Sequence, residues 1–252
     1  MNLIILTDDD QTADGHYRLS DHRAEHIRTV LKLSVGDNIE VGLVDGGAGS
    51  ARIKSVEKNE IIVACETLVI SPPPSPIVDI ICALPRPQTL RKLLSTIATM
   101  GVRRLYLIRA NRVEKSYFHS PLLTPHRYRR YLLEGLSQGK LTRMPQVHIH
   151  NRFRTFLEDD LPAYEKQESD SPLRLVADGD ATILLSDQYD GAAGRLLLAF
   201  GPEGGWVPFE IEQFEKAGFC IIRLTRTVLR VETAVTAALA QIELLRLKST
   251  AP

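Results

Sequence analysis

Two short runs hold the residues best suited to chemistry. In LLLAFGPEGGWVPFE, Leu196 to Glu210, an apolar strand gives way to a glycine-rich loop and then at once to a helix. Ligands of parallel α/β folds bind beyond the C-terminal ends of strands. Gly201, Gly204 and Gly205 permit unusual dihedrals and let a ligand approach the backbone. Glu203 sits at the loop apex, where a mere turn needs no carboxylate. The loop matches neither the dinucleotide fingerprint nor the P-loop. A tight strand-to-helix connection is the plain alternative reading.

The second run repeats that topology. CIIRL, Cys220 to Leu224, leads into TRTVLRVETA, Thr225 to Ala234. Thr225, Thr227, Glu232 and Thr233 crowd a strand end and a helix start, where hydroxyls and carboxylates cap the helix. Capping does not account for Arg230, a cation at the positive end of a helix dipole. Its position asks for an anionic partner: a substrate phosphate, Glu203 or Glu232.

The elements around these runs fall into two groups. Before residue 70, Leu3–Leu6, Ile39–Val44 and Ile61–Ala64 read as short strands, Asp45–Ser50 as a turn, and Arg23–Leu33 as an amphipathic helix. Ser71–Pro76, SPPPSP, marks a boundary, because consecutive prolines remove backbone donors. The expected division is therefore 1–70, a linker at 71–76, and 77–252. Beyond it, apolar runs at Ile77–Leu84, Arg104–Ile108, Gln146–His150, Leu173–Ala177, Ile183–Leu185, Leu196–Phe200 and Cys220–Leu224 alternate with helical patterns. Those helices are expected around Leu90–Ala98, within Pro121–Gln138, and over Arg152–Leu161, from Pro208, and over Leu229–Leu247. Such alternation indicates an α/β domain with a mainly parallel sheet.

The 252 residues carry no net charge, but its distribution is uneven. Residues 71–154 hold 15 Lys and Arg against 3 Asp and Glu, a net +12, with an acidic excess on both sides. Arg109, Arg112, Arg127, Arg129, Arg130 and Arg143 are candidate RNA contacts there, since a guanidinium fork suits phosphates and stacks on bases. Arg103, Arg104, Arg152 and Arg154 belong to the same run. A solvated surface is the plain alternative. Cys65, Cys82 and Cys220 lie far apart in apolar runs and read as buried thiols in a reducing compartment. No metal-ligand spacing appears. The start, MNLIILTDDDQ, is a poor signal peptide, and no apolar stretch approaches the roughly 18 residues of a membrane span. A soluble cytoplasmic protein is expected.

Together, GPEGG and a following L-x-x-x-V-L-R-V-E-T-A, Leu224 to Ala234, resemble the small-subunit (16S) ribosomal RNA uridine N3-methyltransferases, of the SPOUT class. HIRTVLKLSVGD, His26 to Asp37, is similar to the N-terminal pattern of that family. The resemblance implies a PUA-like β-barrel, a SPOUT methyltransferase domain with a deep C-terminal trefoil knot, and a homodimer. It implies S-adenosyl-L-methionine (AdoMet) as cofactor and 16S rRNA of the small ribosomal subunit as partner. The matching cofactor positions are Leu198, Ala199, Phe200, Gly201, Glu203, Gly204 and Gly205, then Leu224, Val228, Leu229, Arg230, Glu232 and Thr233. Glu134, Gln138, Arg143 and Pro145 match a helix and the turn after it. The start MNLIIL, Thr99, Met100 and Thr225 depart from the pattern.

The implied reaction moves a methyl group to N3 of a uracil, which must lose its proton. Glu203 is the candidate for handling that proton. Arg230 is the candidate for stabilising charge on O2 or O4, or for clamping a phosphate. N3 lies on the pairing edge, so the base must be unpaired or flipped out. Two other readings stay open: a SPOUT enzyme with another target, such as a 2′-O-ribose, and a catalytically silent RNA-binding homologue.

Overall fold

The computed structural model describes residues 2–69, 77–192 and 194–249. The expected proline-rich boundary, Ser71–Pro76, lies outside the described residues.

The N-terminal part contains β1 (Ile4–Leu6), β2 (Tyr17–Leu19), α1 (His22–His26), β3 (Asn38–Leu43), β4 (Ala48–Val56) and β5 (Ile61–Val69). The strands form one sheet in the order β1-β3-β4-β5-β2, with β1 parallel to β3 and the other pairs antiparallel. Register shifts at Ser50/Ala51 and Ile53/Ser55 bend β4 against β5, as bulges do, and the sheet curls into a nearly closed barrel. Leu6, Leu19, Ile39, Val41, Ile53 and Ile61 fill it. The turn expected over Asp45–Ser50 ends earlier, because β4 already starts at Ala48. The expected helix starts at His22, where the Asp21 carboxylate accepts from the Arg23 N–H at 2.9 Å. It widens into π-type turns over Ile27–Leu31 and ends at Lys32, in the left-handed region (φ 54°).

The second part runs β6 (Ile77–Ala83), α2 (Pro87–Thr99), β7 (Arg104–Ile108), α3 (Pro125–Gly139), β8 (Gln146–His150), α4 (Phe153–Thr155), α5 (Leu161–Glu165), β9 (Leu173–Ala177), α6 (Leu185–Gln188), β10 (Arg195–Phe200), α7 (Pro208–Lys216), β11 (Cys220–Ile222) and α8 (Val231–Ser249). Its sheet is wholly parallel, in the order β11-β9-β10-β6-β7-β8. β10 is buried at every residue, which is why it reads as an unbroken apolar run. Sheet growth reverses between β6 and β10, a topological switch point.

One sequence expectation fails here and another is extended. Ile183–Leu185 is not a strand: it makes a single bridge, Leu184 to Arg223. The Asp187 carboxylate accepts from the Leu184 N–H at 2.8 Å and starts the one-turn helix α6 instead. The helix expected over Arg152–Leu161 continues through a π-type segment, Phe156–Asp160, to Glu165.

α2 and α3 cross closely. A Cβ on Gly135 or Gly139 would run into the Ser95 or Thr99 carbonyl oxygen. Thr99 Oγ1 donates to the Ser95 carbonyl (2.9 Å) and lies 3.1 Å from the Gly135 carbonyl. The departure at Thr99 thus has a packing role. The end of α3 also docks the barrel. Leu3 N–H donates to the Ser137 carbonyl, Ser137 Oγ to the Leu3 carbonyl, and Asp45 N–H to the Thr142 carbonyl, at 2.6 to 3.1 Å. Leu3 and Ile5 join the larger core, so the two parts share apolar contact.

Candidate functional site

A cleft of about 150 Å³ opens over the C-terminal ends of β9, β10 and β11. The GPEGG loop forms one wall and Leu224–Leu229 the other, with Ala177, Asp178 and Gly179 between them. Phe200, Trp206, Val231 and Ala234 supply apolar surface. The loop turns at Gly205, whose φ of +74° strains any side-chain-bearing residue. Gly205 N–H closes it by donating to the Pro202 carbonyl at 2.8 Å. α8 steadies the opposite wall: Gln241 Nε2 donates to the Leu224 carbonyl at 3.1 Å. Thr225 Oγ1 donates to the Thr227 carbonyl at 2.7 Å, so this departure from the family pattern is absorbed as a local turn.

Two buried donors in this lining have no hydrogen-bond partner among the described residues: Trp206 Nε1 and Arg223 Nε. A fold rarely leaves such groups unmatched unless a ligand or water meets them. The acids Asp178 and Glu203 in the same lining favour a ligand that carries positive charge. Apolar walls, two waiting donors and two carboxylates fit AdoMet, which has a flat base, a polar tail and a cationic sulfur.

The structure brings Phe200, Gly201, Glu203, Gly205, Leu224, Val228 and Leu229 to the cleft. Leu198 and Ala199 are buried within β10 and carry the loop without facing the cleft. Gly204 lies just outside, its carbonyl accepting from Arg112 Nη1. Arg230, Glu232 and Thr233 do not line the cleft. Neither glutamate serves as the partner expected for Arg230. Glu203 faces Arg86 at 3.7 Å, because its loop leans toward the β6–α2 connection, and Glu232 faces Lys92 of α2 at 3.5 Å. Arg230 itself is exposed. Beneath Glu203 lies Cys82, whose thiol pKa is pushed up by burial and further by the Glu203 charge.

Sequence reasoning missed Ala177, Asp178, Gly179, Trp206 and Arg223. The strand-end signal was present at Ala177–Gly179, an apolar run closing on Asp-Gly, and Trp206 adjoins the glycine loop. The basic surface is smaller than the residue count implies. Arg112, Arg127, Arg129, Arg130 and Arg143 are exposed and Arg109 is half-buried. Arg103 and Arg104 are committed to ion pairs with Asp79 and Glu168, and Arg154 pairs with Glu158.

The family model for the RNA methyltransferase domain matches residues 72–243, and that for the RNA methyltransferase PUA domain matches residues 19–64. The chain belongs to the RNA methyltransferase family, with a SPOUT-type domain and an N-terminal PUA-like barrel. Ribosomal RNA small subunit methyltransferase E of Treponema pallidum is 29% identical to it over 244 residues, 94% of this chain and 89% of that one. A probable rRNA-methyltransferase from Porphyromonas gingivalis superposes with a TM-score of 0.77 at 23% identity, covering 99% of this chain and 100% of that one. The small subunit methyltransferase E of Neisseria gonorrhoeae, bound to S-adenosyl methionine, gives 0.75 at 21% identity, with 96% and 98% covered.

Proposed function

We propose that this protein transfers a methyl group from AdoMet to N3 of a uridine in 16S rRNA, acting on the small ribosomal subunit. The observation that carries the cofactor assignment is the pair of unpartnered buried donors, Trp206 Nε1 and Arg223 Nε, between the two motif loops. The names of the relatives support the rRNA substrate. Bound AdoMet supplies an electrophilic methyl group on a sulfonium.

The chain's own residues do the rest. Trp206 and Arg223 would donate to the cofactor's polar atoms, and Phe200 and Leu224 would cover its base. Glu203, at the cleft mouth, accepts the N3 proton, and Arg86 at 3.7 Å holds it in place. Arg230 stabilises charge on the uracil oxygens or clamps the adjoining phosphate. Most of the remaining work is alignment of nucleophile, methyl and sulfur. A homodimer belongs to the same reading: Val228, 94% exposed at the cleft mouth, and Leu244 on α8 leave apolar surface for a second copy. The trefoil knot that the family resemblance implies belongs to it too.

The test is nucleoside mass spectrometry of small-subunit rRNA from strains with and without the gene. Loss of one 3-methyluridine is expected. Loss of a 2′-O-methylated nucleoside instead would replace this reading with a ribose methyltransferase.

A further inference from the structure

A second cavity, about 370 Å³, is lined by neither the GPEGG loop nor the VLRVETA run. It opens at the same C-terminal edge of the sheet as the cofactor cleft, but over β7 and β8. β7 delivers Arg109 and Asn111 just past its end, and β8 delivers Asn151. Phe153 and Arg154 follow on α4, and Phe209 enters from the first turn of α7. The volume lies in the range of pockets that bury a small ligand.

Its charge is positive in effect. Glu210 is the carboxylate in the lining, and its oxygens are taken by the N–H groups of Asn111 (2.6 Å) and Val207 (3.0 Å). Arg154 has only a surface pair with Glu158, a weak competitor for a phosphate. Arg109 has no ion-pair partner among the described residues. Phe209 is 47% exposed, although an aromatic ring gains nothing from water.

We propose that this cavity holds the nucleotide next to the target uridine on the same RNA strand. The proposal rests on the RNA-methylating reading above and adds a substrate subsite to it. Phe209 stacks on the base, the Asn111 and Asn151 amides meet its edge, and Arg109 and Arg154 hold the phosphate. The spacing suits one strand. Trp206 lines the cofactor cleft and Phe209 lines this cavity, three residues apart, so their Cα atoms are separated by at most about 11 Å. The segment into α7 is thus a wall common to both, so neighbouring bases of one strand can reach its two sides. A lining rich in Arg and Asn fits a nucleotide better than an apolar protein segment.

The test uses the full chain, AdoMet and isolated small ribosomal subunits. Phe209→Ala is expected to raise KM for the subunits by roughly five- to a hundredfold, the loss of one stacked base. Phe209→Trp restores it. Arg109→Gln lowers the salt slope of RNA binding by about 0.7. The AdoMet Kd from calorimetry stays at the wild-type value in all three. An unchanged KM in Phe209→Ala overturns the subsite. So does an AdoMet Kd that rises with KM, since that shows a disturbed cofactor loop. A wild-type protein that transfers no methyl group to rRNA overturns the underlying reading, and the subsite with it.

Discussion

At the N-terminal edge of the six-stranded sheet, Asp79 on β6 meets Arg103 at 2.5 Å and Arg195 of β10 at 3.4 Å, while Glu168 meets Arg103 at 3.0 Å and Arg104 at 2.6 Å. Asp79 is 2% exposed. Burial works to raise the Glu168 pKa, but the Arg103 and Arg104 guanidinium groups more than offset it and hold it below the usual range. At the C-terminal edge, Arg109 and Arg230 have no ion-pair partner among the described residues, and Arg223 and Trp206 leave buried donors unmatched. Arg195 Nε is left unmatched at the closed edge as well, so the difference lies in the ion pairs: one edge pairs its arginines with buried carboxylates to close the fold, whereas the other leaves Arg109 and Arg230 without one. The lesson is that charge counted along a sequence says little until its partners are known.

The largest expected effect is at the closed edge. Asp79→Ala leaves two arginines facing a hole and should cost about 3–5 kcal/mol in urea unfolding. AdoMet affinity of the folded protein should not change. A loss below about 1 kcal/mol would place Asp79 in a solvated surface pair instead.

Trp206→Phe probes the open edge and should behave oppositely. The indole N–H has no partner in the fold, so its removal loses no intramolecular hydrogen bond and stability should hold or rise. The AdoMet Kd should increase about five- to tenfold, the value of one hydrogen bond. Lower stability with unchanged affinity would break the comparison.

A smaller effect separates packing from recognition. Thr99→Ala removes the hydroxyl between α2 and α3 and should cost about 1 kcal/mol, read as a shift in the urea midpoint. Methyl-transfer kcat/KM should stay at the wild-type value. A fall in kcat/KM would show that this departure bears on the RNA.

The smallest is a pH effect. Burial first, then the Arg104 charge, lowers the His148 pKa below 6.5. Its neutral form is therefore favoured in the fold. That contribution is fully present above pH 6.5 and is lost as pH falls toward the lowered value. His148→Phe should flatten urea stability between neutral and mildly acid pH, and an undiminished slope would assign the loss to other groups.

The buried strands were the legible part of the fold. β6, β7, β9 and β10 are covered on both faces, and continuous apolar runs announce that. β4 was harder, because Arg52 and Lys54 alternate with buried Ala51 and Ile53 beside a glycine-rich turn. Ile183–Leu185 misled because an apolar run does not reveal whether a neighbouring strand has edge left to pair. The two motif loops were visible because glycine, proline and charge gather at strand ends. Asp178 and Arg223 were not, since only the order β11-β9-β10 brings them together. Of the second cavity only Arg109 and Arg154 were flagged, as members of the basic run; that they share a cavity with Phe209 was not legible, because its residues come from three separate stretches of chain.

The central claim is that the cleft between GPEGG and VLRVETA is the cofactor site. Calorimetric titration of the full chain with AdoMet, alone and with isolated small subunits present, tests it most directly. The account predicts saturable binding that weakens in Trp206→Phe and not in Asp79→Ala. Absence of binding under both conditions would contradict it and leave an RNA-binding protein that kept the fold without the chemistry.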